Sequence, residues 1–530
     1  MISTDLTTPE SLTSLRDKVS YLEKDNQRYE VENNILREQV RLLRSQLYGS
    51  KTEKKLRDRD DSQALLFNEA EVCISEEEEQ AREEIKVPAH TRKKRGRRPL
   101  PEDLPRIDVI HDLSDKEKIC ACGCIKDRIG EEVSEQLDII PAKVQVIRNI
   151  RYKYVCKSCE GVEADEPAVS IAPLPPMIIP KSIATPGLLA YTFTSKFADA
   201  LPFYRQEKLF ERIGIDISRS SMCNWAIKVA EQCEPLMELL NKDIRSGPLI
   251  SIDETTVQVM KEPGRSNTTK SYMWIFRGGD PDRPVLVYQY HQSRSGEVVS
   301  KYLKGYKGYV QSDGFSGYDF IDYDPEIIHV GCWAHVRRKF VDVLKASGKR
   351  ESVKGRTGNA GKAVDYIRRL YAIEKSATEK GLGYKEICEE RQKHAKPILD
   401  DFKGWLEEIS YKTPPKGLLG KAISYTLGQW DRLVRYIEDG RLRPDNNLAE
   451  NAIRPFVVGR KNWLFSGHPN GARASAALYS LIETAKANNL EPYQYLRYLF
   501  DKLPHAKSKD DYKALLPNGL AREQLTGAFK

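Results

Sequence analysis

PLISIDETTVQV (248–259), SYMWIF (271–276), PVLVYQYHQS (284–293), GYVQSDGFSGYD (308–319) and IIHVGCWAHVRR (327–338) are short runs rich in β-branched and aromatic residues. Gly, Pro and charged turns separate them. That pattern lays down a sheet of four or five strands, not a helical bundle. Two of the runs place an acidic residue in apolar company, Asp253 in the first and Asp313 in the fourth. A carboxylate in a strand due to be buried is costly unless its charge is offset. A divalent cation is the usual offset, and oxygen ligands suit Mg²⁺.

Further along, LRPDNNLAENAIRPFVVGRKNWLFSG (442–467) supplies a third acid. Pro444 and Asp445 or Asn446 open a helix. On it Asn447, Glu450, Asn451 and Arg454 fall three or four apart and share one face. Amide, acid, amide and guanidinium make a poor core face and a good site face, although Glu450 could simply pair with Arg454 at the surface. Arg460, Lys461, His468 and Arg473 follow among glycines, which suits close approach to a phosphate backbone. Two Asp on adjacent strands and one Glu on a later helix can hold two Mg²⁺ ions about 3.5–4 Å apart. Asp253 would then bridge both ions, with Asp313 and Glu450 each serving one. The gap from Asp313 to Glu450 is more than twice that from Asp253 to Asp313. Residues 341–440 carry Lys, Glu, Ile, Leu and Tyr at helical spacing, so an all-α insertion accounts for the longer gap. GRTGNAGKA (355–363) fails as a phosphate loop, because Arg356 replaces its first Gly and Ala363 its Ser/Thr.

Toward the N-terminus, Leu12, Leu15, Val19, Leu22, Asn26, Tyr29, Asn33, Leu36, Val40, Leu43 and Leu47 recur in steps of three and four. This is a heptad over about five repeats. Asn26 and Asn33 occupy a positions, where a buried Asn fixes register in a parallel dimer. A polar linker follows, and then HTRKKRGRRPLP (90–101), with six Lys/Arg in positions 91–98. Such an arm, with Arg95, Arg97 and Arg98, can lie in a minor groove; the alternative is a solvated charge run. Next come Cys120, Cys122 and Cys124 in CACGC, and Cys156 and Cys159 in CKSC, joined by a strand-like stretch. Two knuckles on a β-hairpin describe a zinc ribbon with four thiolates. Three cysteines compete for two places in the first knuckle, with Cys120 and Cys122 the expected pair. After a Pro-rich connector (173–185), FYRQEKLFERIGIDISRSSMCNWAIKVAEQ (203–232) reads as helix, Gly214 turn, Ser218 N-cap and second helix. Arg219, Ser220 and Asn224 lead the second helix of this helix-turn-helix outline. A scaffold pair packed on the following sheet fits the same pattern.

The chain of 530 residues is too long for one ordinary domain. Hydrophobic residues make up 40% and charged residues 31%, with 85 Lys and Arg against 77 Asp and Glu, so the net charge is +8. The excess is small and concentrated locally, which matters more to a polyanion than the total does. MISTDLTTPE has no signal-peptide character, and no apolar run is long enough for a membrane span. Clustering of the cysteines points to a metal before disulfides, as in a cytoplasmic protein.

The chain resembles the DDE transposases of the insertion-sequence sixty-six family (TnpC-type) over nearly its whole length. The resemblance rests on LYGSKTEK (47–54), GRRPLPEDLPR (96–106), IGEEVSEQLDIIPAKVQVIR (129–148), LPFYRQ (201–206), ISIDETTVQV (250–259), QSDGFSGYD (311–319), GCWAHVRRKF (331–340), NNLAENAIRPFVVGRKNWLFSG (446–467) and YLRYLFDKLP (495–504). It implies a multidomain α+β protein with an RNase H-like mixed α/β core. The expected parts are a coiled coil (1–56), a linker with a basic arm (57–105), a zinc ribbon (106–172) and a helical DNA-binding segment (173–246). The core (247–340 and 441–490) follows, interrupted by the insertion (341–440), and then a tail (491–530). The resemblance implies Asp253, Asp313 and Glu450 as a triad for Mg²⁺, with Mn²⁺ as a substitute, and Zn²⁺ in the ribbon. It implies binding to the element's terminal inverted repeats and target DNA, a homodimer or higher oligomer, small accessory proteins, no membrane, and a bacterial, nucleoid-associated location. Cys332, Trp333, His335 and Arg337 fall in a family motif and would support the site or contact phosphate. A non-catalytic DNA-binding regulator would share the N-terminal parts but has no use for the acidic trio. A nuclease that cuts without joining has no use for the zipper.

Overall fold

The computed structural model describes residues 9–48, 144–155, 169–171, 173–346 and 358–526. The chain divides into two units: Gln80–Leu174, and Met1–Glu79 together with Pro175–Lys530. In the smaller unit, residues 144–152 are exposed and form no regular element. There β1 (Lys153–Val155) pairs antiparallel with β2 (Val169–Ile171), so the strand entering CKSC pairs with chain beyond it. Cys120, Cys122, Cys124, Cys156 and Cys159 lie outside the described residues, as do Arg95, Arg97 and Arg98.

The larger unit begins with α1 (Pro9–Tyr48), one helix without internal Gly or Pro beyond its first position. Its heptad side chains remain about half exposed: Val19 53%, Leu22 56%, Leu36 51% and Leu43 56%. After the connector come α2 (Pro186–Phe197), α3 (Phe203–Arg212), α4 (Arg219–Gln232) and α5 (Glu234–Ser246). Ser218 caps α4 by accepting the Ser221 N–H, and Gly214 supplies the positive φ of +78° that the turn before it needs. Phe193, Phe197, Phe210, Met222, Trp225 and Leu240 from these helices share one core with the sheet. The helix-turn-helix outline is therefore seated on the sheet, while Arg219, Ser220 and Asn224 keep exposed or half-buried positions.

The sheet has the order β5-β4-β3-β6-β7. Its strands are β3 (Leu249–Val259), β4 (Lys270–Asp280), β5 (Arg283–His291), β6 (Gly308–Gln311) and β7 (Ile327–Val330). The first three form an antiparallel meander, and β6 and β7 add in parallel. A parallel neighbour needs a crossover, and α6 (Gly296–Tyr302) lies in the one between β5 and β6. The molecule is thus mixed α/β with a mixed sheet.

From β7 the chain enters α7 (Trp333–Ala346), then α8 (Asn359–Glu379), α9 (Tyr384–Glu390), a π-turn at Arg391–Ala395, α10 (Lys396–Ser410), α11 (Leu418–Gly428) and α12 (Trp430–Val434). These helices build a second core around Trp333, Phe402, Trp430 and Tyr436. The chain returns through α13 (Asn447–Trp463), which packs on β3 and β4, and continues into α14 (Pro469–Ala487) and α15 (Pro492–Lys502). Between α13 and α14, β8 (Phe465–Ser466) pairs with Gln258 and Val259 of β3. On the same side β6 pairs only with Leu249–Ser251. Among the described residues, Ile252–Val257 of β3 therefore have no strand partner on that edge. Among the described residues, too, no helix is long and apolar enough to cross a membrane.

Candidate active site

Asp253 sits in this unpaired stretch of β3. Leu249 pairs with Tyr309, Ile250 with Val310 and Ser251 with Gln311. The ladder ends two residues before Asp253 on β3 and two before Asp313 beyond β6, which brings the two carboxylates close enough for Asp313 to act on Asp253. Asp313 does not lie within a strand, as expected from sequence, but just beyond the end of β6. The chain turns there because Ser312 N–H still bonds Val330 O, after which Asp313 Oδ1 accepts the Phe315 N–H at 3.0 Å. Gly314 completes the turn, and the Tyr425 hydroxyl from α11 occupies the space that a side chain at 314 would need.

Glu450 arrives from the open edge. Asn446 donates from Nδ2 to Ile252 O at 2.8 Å, and its N–H bonds Cys332 Sγ at 3.2 Å. The start of α13 is thereby fixed to the residue before Asp253. Asn446 precedes the helix without capping it through its side chain, which is engaged by β3 instead. One turn on, Glu450 Oε1 meets His335 Nε2 at 3.0 Å and Oε2 lies 3.8 Å from Arg338.

The charges of these groups act on one another. Burial, then the negative charges of Glu254, Glu450 and Asp313, push the Asp253 carboxyl well above its ordinary range. Burial would raise Glu450 too, but His335, Arg338 and Arg454 outweigh it and hold that carboxyl below its usual range. A carboxylate crowded by three others is the electrostatic signature of a cation site. An all-oxygen donor set fits a hard divalent ion. Cys332, His335 and Glu450 also offer ligand atoms within 4.8 Å of one another, a softer set that suits zinc better. Here, however, the imidazole and carboxylate bond each other, and burial pushes the Cys332 thiol far up.

The remaining candidates scatter. Trp333 is fully buried, donates to Leu433 O at 3.0 Å and packs against Phe402 and Trp430. Its place in the motif is structural, and it is unavailable to phosphate. Arg460 donates to the Thr255 and Thr256 hydroxyls, each at 3.1 Å, tying the end of α13 to β3. Arg337 and Arg454 are half-buried, Lys461 and Arg473 exposed. Arg473 bonds Asn470 and lines a cleft with Tyr290 and His291. His468 caps α14.

Two site residues, Glu254 and Arg294, escaped the sequence reading. The Glu254 side chain is only 3% exposed, and it accepts from Arg294 Nε at 2.6 Å and from the Tyr318 hydroxyl. Strand alternation turns Glu254 away from Asp253, so sequence alone assigns it to solvent. Nothing near it announces that its partners come from two separate loops far downstream.

Residues 181–474 match the family model described as Transposase IS66 family. Residues 117–160 match the zinc-finger binding domain of transposase IS66, and residues 480–518 the IS66 C-terminal element. Residues 35–109 match a model described as Transposase C of IS166 homeodomain. Among curated proteins, the chain is 30% identical over 493 residues to the uncharacterized protein y4qI of Sinorhizobium fredii, covering 90% of this chain and 87% of that one. It is 32% identical over 430 residues to y4jD of the same organism, covering 79% and 81%.

Proposed function

Because the chain belongs to the transposase IS66 family, we propose that it cuts and rejoins DNA at the ends of its own element, with Asp253, Asp313 and Glu450 holding two Mg²⁺ ions. The observation that carries this reading is that Asp313 lies just past β6, the parallel neighbour of the strand that holds Asp253, while Glu450 enters where the β3 edge is open. The strand order and the mixed pairing support an RNase H-like core. Bound there, the ions would supply activation of the attacking oxygen and stabilisation of the leaving one.

The protein's own residues set up that chemistry. His335 and Arg338 keep Glu450 ionised and oriented, and Asn446 fixes its distance from β3. Arg454, Lys461 and Arg473 offer positive charge to the DNA backbone, and Arg219 and Asn224 present a helix face to the terminal repeats. Cys120 and Cys122, with Cys156 and Cys159, would close a zinc site whose role is structural. The half-exposed stripe of α1 would pair with a second copy to bring two ends together.

The test uses a labelled duplex carrying the repeats that flank the coding sequence. Wild type, Asp313→Asn and Glu450→Gln are compared in Mg²⁺ and in EDTA. Cleavage and joining should fall about 1000-fold or more in both variants, with end binding retained. End binding by wild type without Mg²⁺-dependent cutting would sink the transposase reading in favour of a regulator.

A further inference from the structure

Arg294 lies in the loop between β5 and α6, outside every motif discussed above. Exposed arginines are usually mobile, but this one is held by two partners, one of them fixed in turn. Its Nε donates to Glu254 Oε1 at 2.6 Å, its guanidinium lies 3.8 Å over the Phe315 ring, and the Tyr318 hydroxyl fixes the far oxygen of Glu254. Phe315 is the residue whose N–H bonds Asp313 Oδ1, so the platform under Arg294 and the Asp313 carboxylate belong to one turn. The start of α6 and the 3-10 turn after Phe315 also meet closely, since a side chain at Gly296 would collide with Gly317 O.

Burial within the pair is lopsided. The Glu254 side chain is 3% exposed, whereas that of Arg294 is 42% exposed. A buried ion pair adds little stability over apolar residues of the same volume. This one does what apolar residues cannot: it presents an oriented guanidinium near enough to Asp313 to feel its charge. A guanidinium fork matches phosphate oxygens bidentately, which an ammonium does not. A polyanionic strand approaching four carboxylates also needs fixed positive charge close by.

We propose that Arg294, positioned by Glu254, Tyr318 and Phe315, grips a backbone phosphate of the DNA strand at the Asp253–Asp313 cleft. This rests on the transposase reading. The alternative is that Arg294 only neutralises Glu254, and a double variant separates the two. Glu254→Gln with Arg294→Met removes both charges and leaves no unpaired buried carboxylate.

Wild type, Arg294→Lys and the double variant are assayed for thermal stability, end binding and Mg²⁺-dependent cleavage of the same duplex. A phosphate grip predicts near-wild-type stability and end binding in the double variant, with cleavage down about 100-fold. Cleavage within about 3-fold of wild type would overturn the proposal. If the double variant does not fold, Arg294→Lys decides, because it keeps the charge on Glu254 but loses the fork. Loss of about 10-fold or more at unchanged stability supports the grip, and a smaller loss refutes it. Wild type that binds ends without cutting them sinks the transposase reading and this inference together. Wild type that cuts beside variants that cut equally well sinks this inference alone.

Discussion

His329 holds the back of the Asp313 turn. Its Nε2 lies 2.8 Å from Ser312 Oγ and its Nδ1 3.1 Å from Asp322 Oδ1, while Arg432 binds both Asp319 and Asp322. The trio superficially suggests a nucleophilic serine, but Ser312 is fully buried and no substrate reaches it. Burial first, then Arg432, pull the His329 imidazole down to about 4, against the opposing effect of Asp322 and Asp319. The imidazole is therefore neutral in the fold, with Nδ1 facing Asp322 and Nε2 facing the Ser312 hydroxyl. A histidine whose folded value lies below its unfolded one contributes its full stability above the unfolded value. That contribution is lost as acid protonates the unfolded chain, here between about pH 6.5 and 4, and amounts to about 3 kcal/mol. Denaturant titrations across that window should show the loss in wild type and a flatter profile in His329→Gln. Equal slopes would mean that His329 does not carry it.

At the level of elements, the helical segment between β7 and α13 delivers the chain back to the sheet under close control. Arg391, in the π-turn, binds Glu374 through two nitrogens at 2.8 and 2.6 Å. It also donates to the carbonyls of Tyr436 and Asp439, each at 2.8 Å, and of Leu442 at 2.9 Å. The next residues are held in turn: Gln311 donates to Arg443 O, Trp333 N–H to Pro444 O, and Tyr371 to Asp445. Arg391→Met leaves Glu374 and three carbonyls without their partner and should cost about 3–5 kcal/mol. Chemical denaturation reads that loss, and a cost below about 1 kcal/mol would show the clamp to be dispensable. None of this was legible from the sequence. Arg391 stands in a charged run that looks solvated, yet it is 2% exposed, because its partners come from other helices and from the returning chain. The strands, the α1 heptad and the Ser218 cap were legible, since each depends on neighbours close by in the chain. The gap in the β3 edge was not, because β8 is very short and pairs with a strand far upstream. Asp253, Asp313 and Glu450 stood out as candidates because charge in an apolar or amide setting is conspicuous. Glu254 and Arg294 are conspicuous only once folded.

Across the whole molecule, α1 bears an apolar stripe that the described residues leave about half uncovered, as the exposures of Leu22 (56%), Leu36 (51%) and Leu43 (56%) show. Replacing Leu22 and Leu36 together by Lys puts like charges in the seam of any paired helix and should yield a monomer by sedimentation. On the proposed function, joining of paired ends should then fall well before single-end binding does. A variant that remains dimeric would place the subunit contact elsewhere. The open edge of β3 has one more consequence, and it concerns time. Its missing neighbour is supplied by α13, so Glu450 leaves the ribosome long after Asp313, with the whole helical insertion made in between. At a synthesis rate of about 5–20 residues per second, that interval lasts roughly 7–27 s. Throughout it the nascent chain already has its N-terminal helix and basic arm, while its cleft is still one wall short. The order of the parts along the messenger thus keeps the proposed blade unassembled until the insertion has been made.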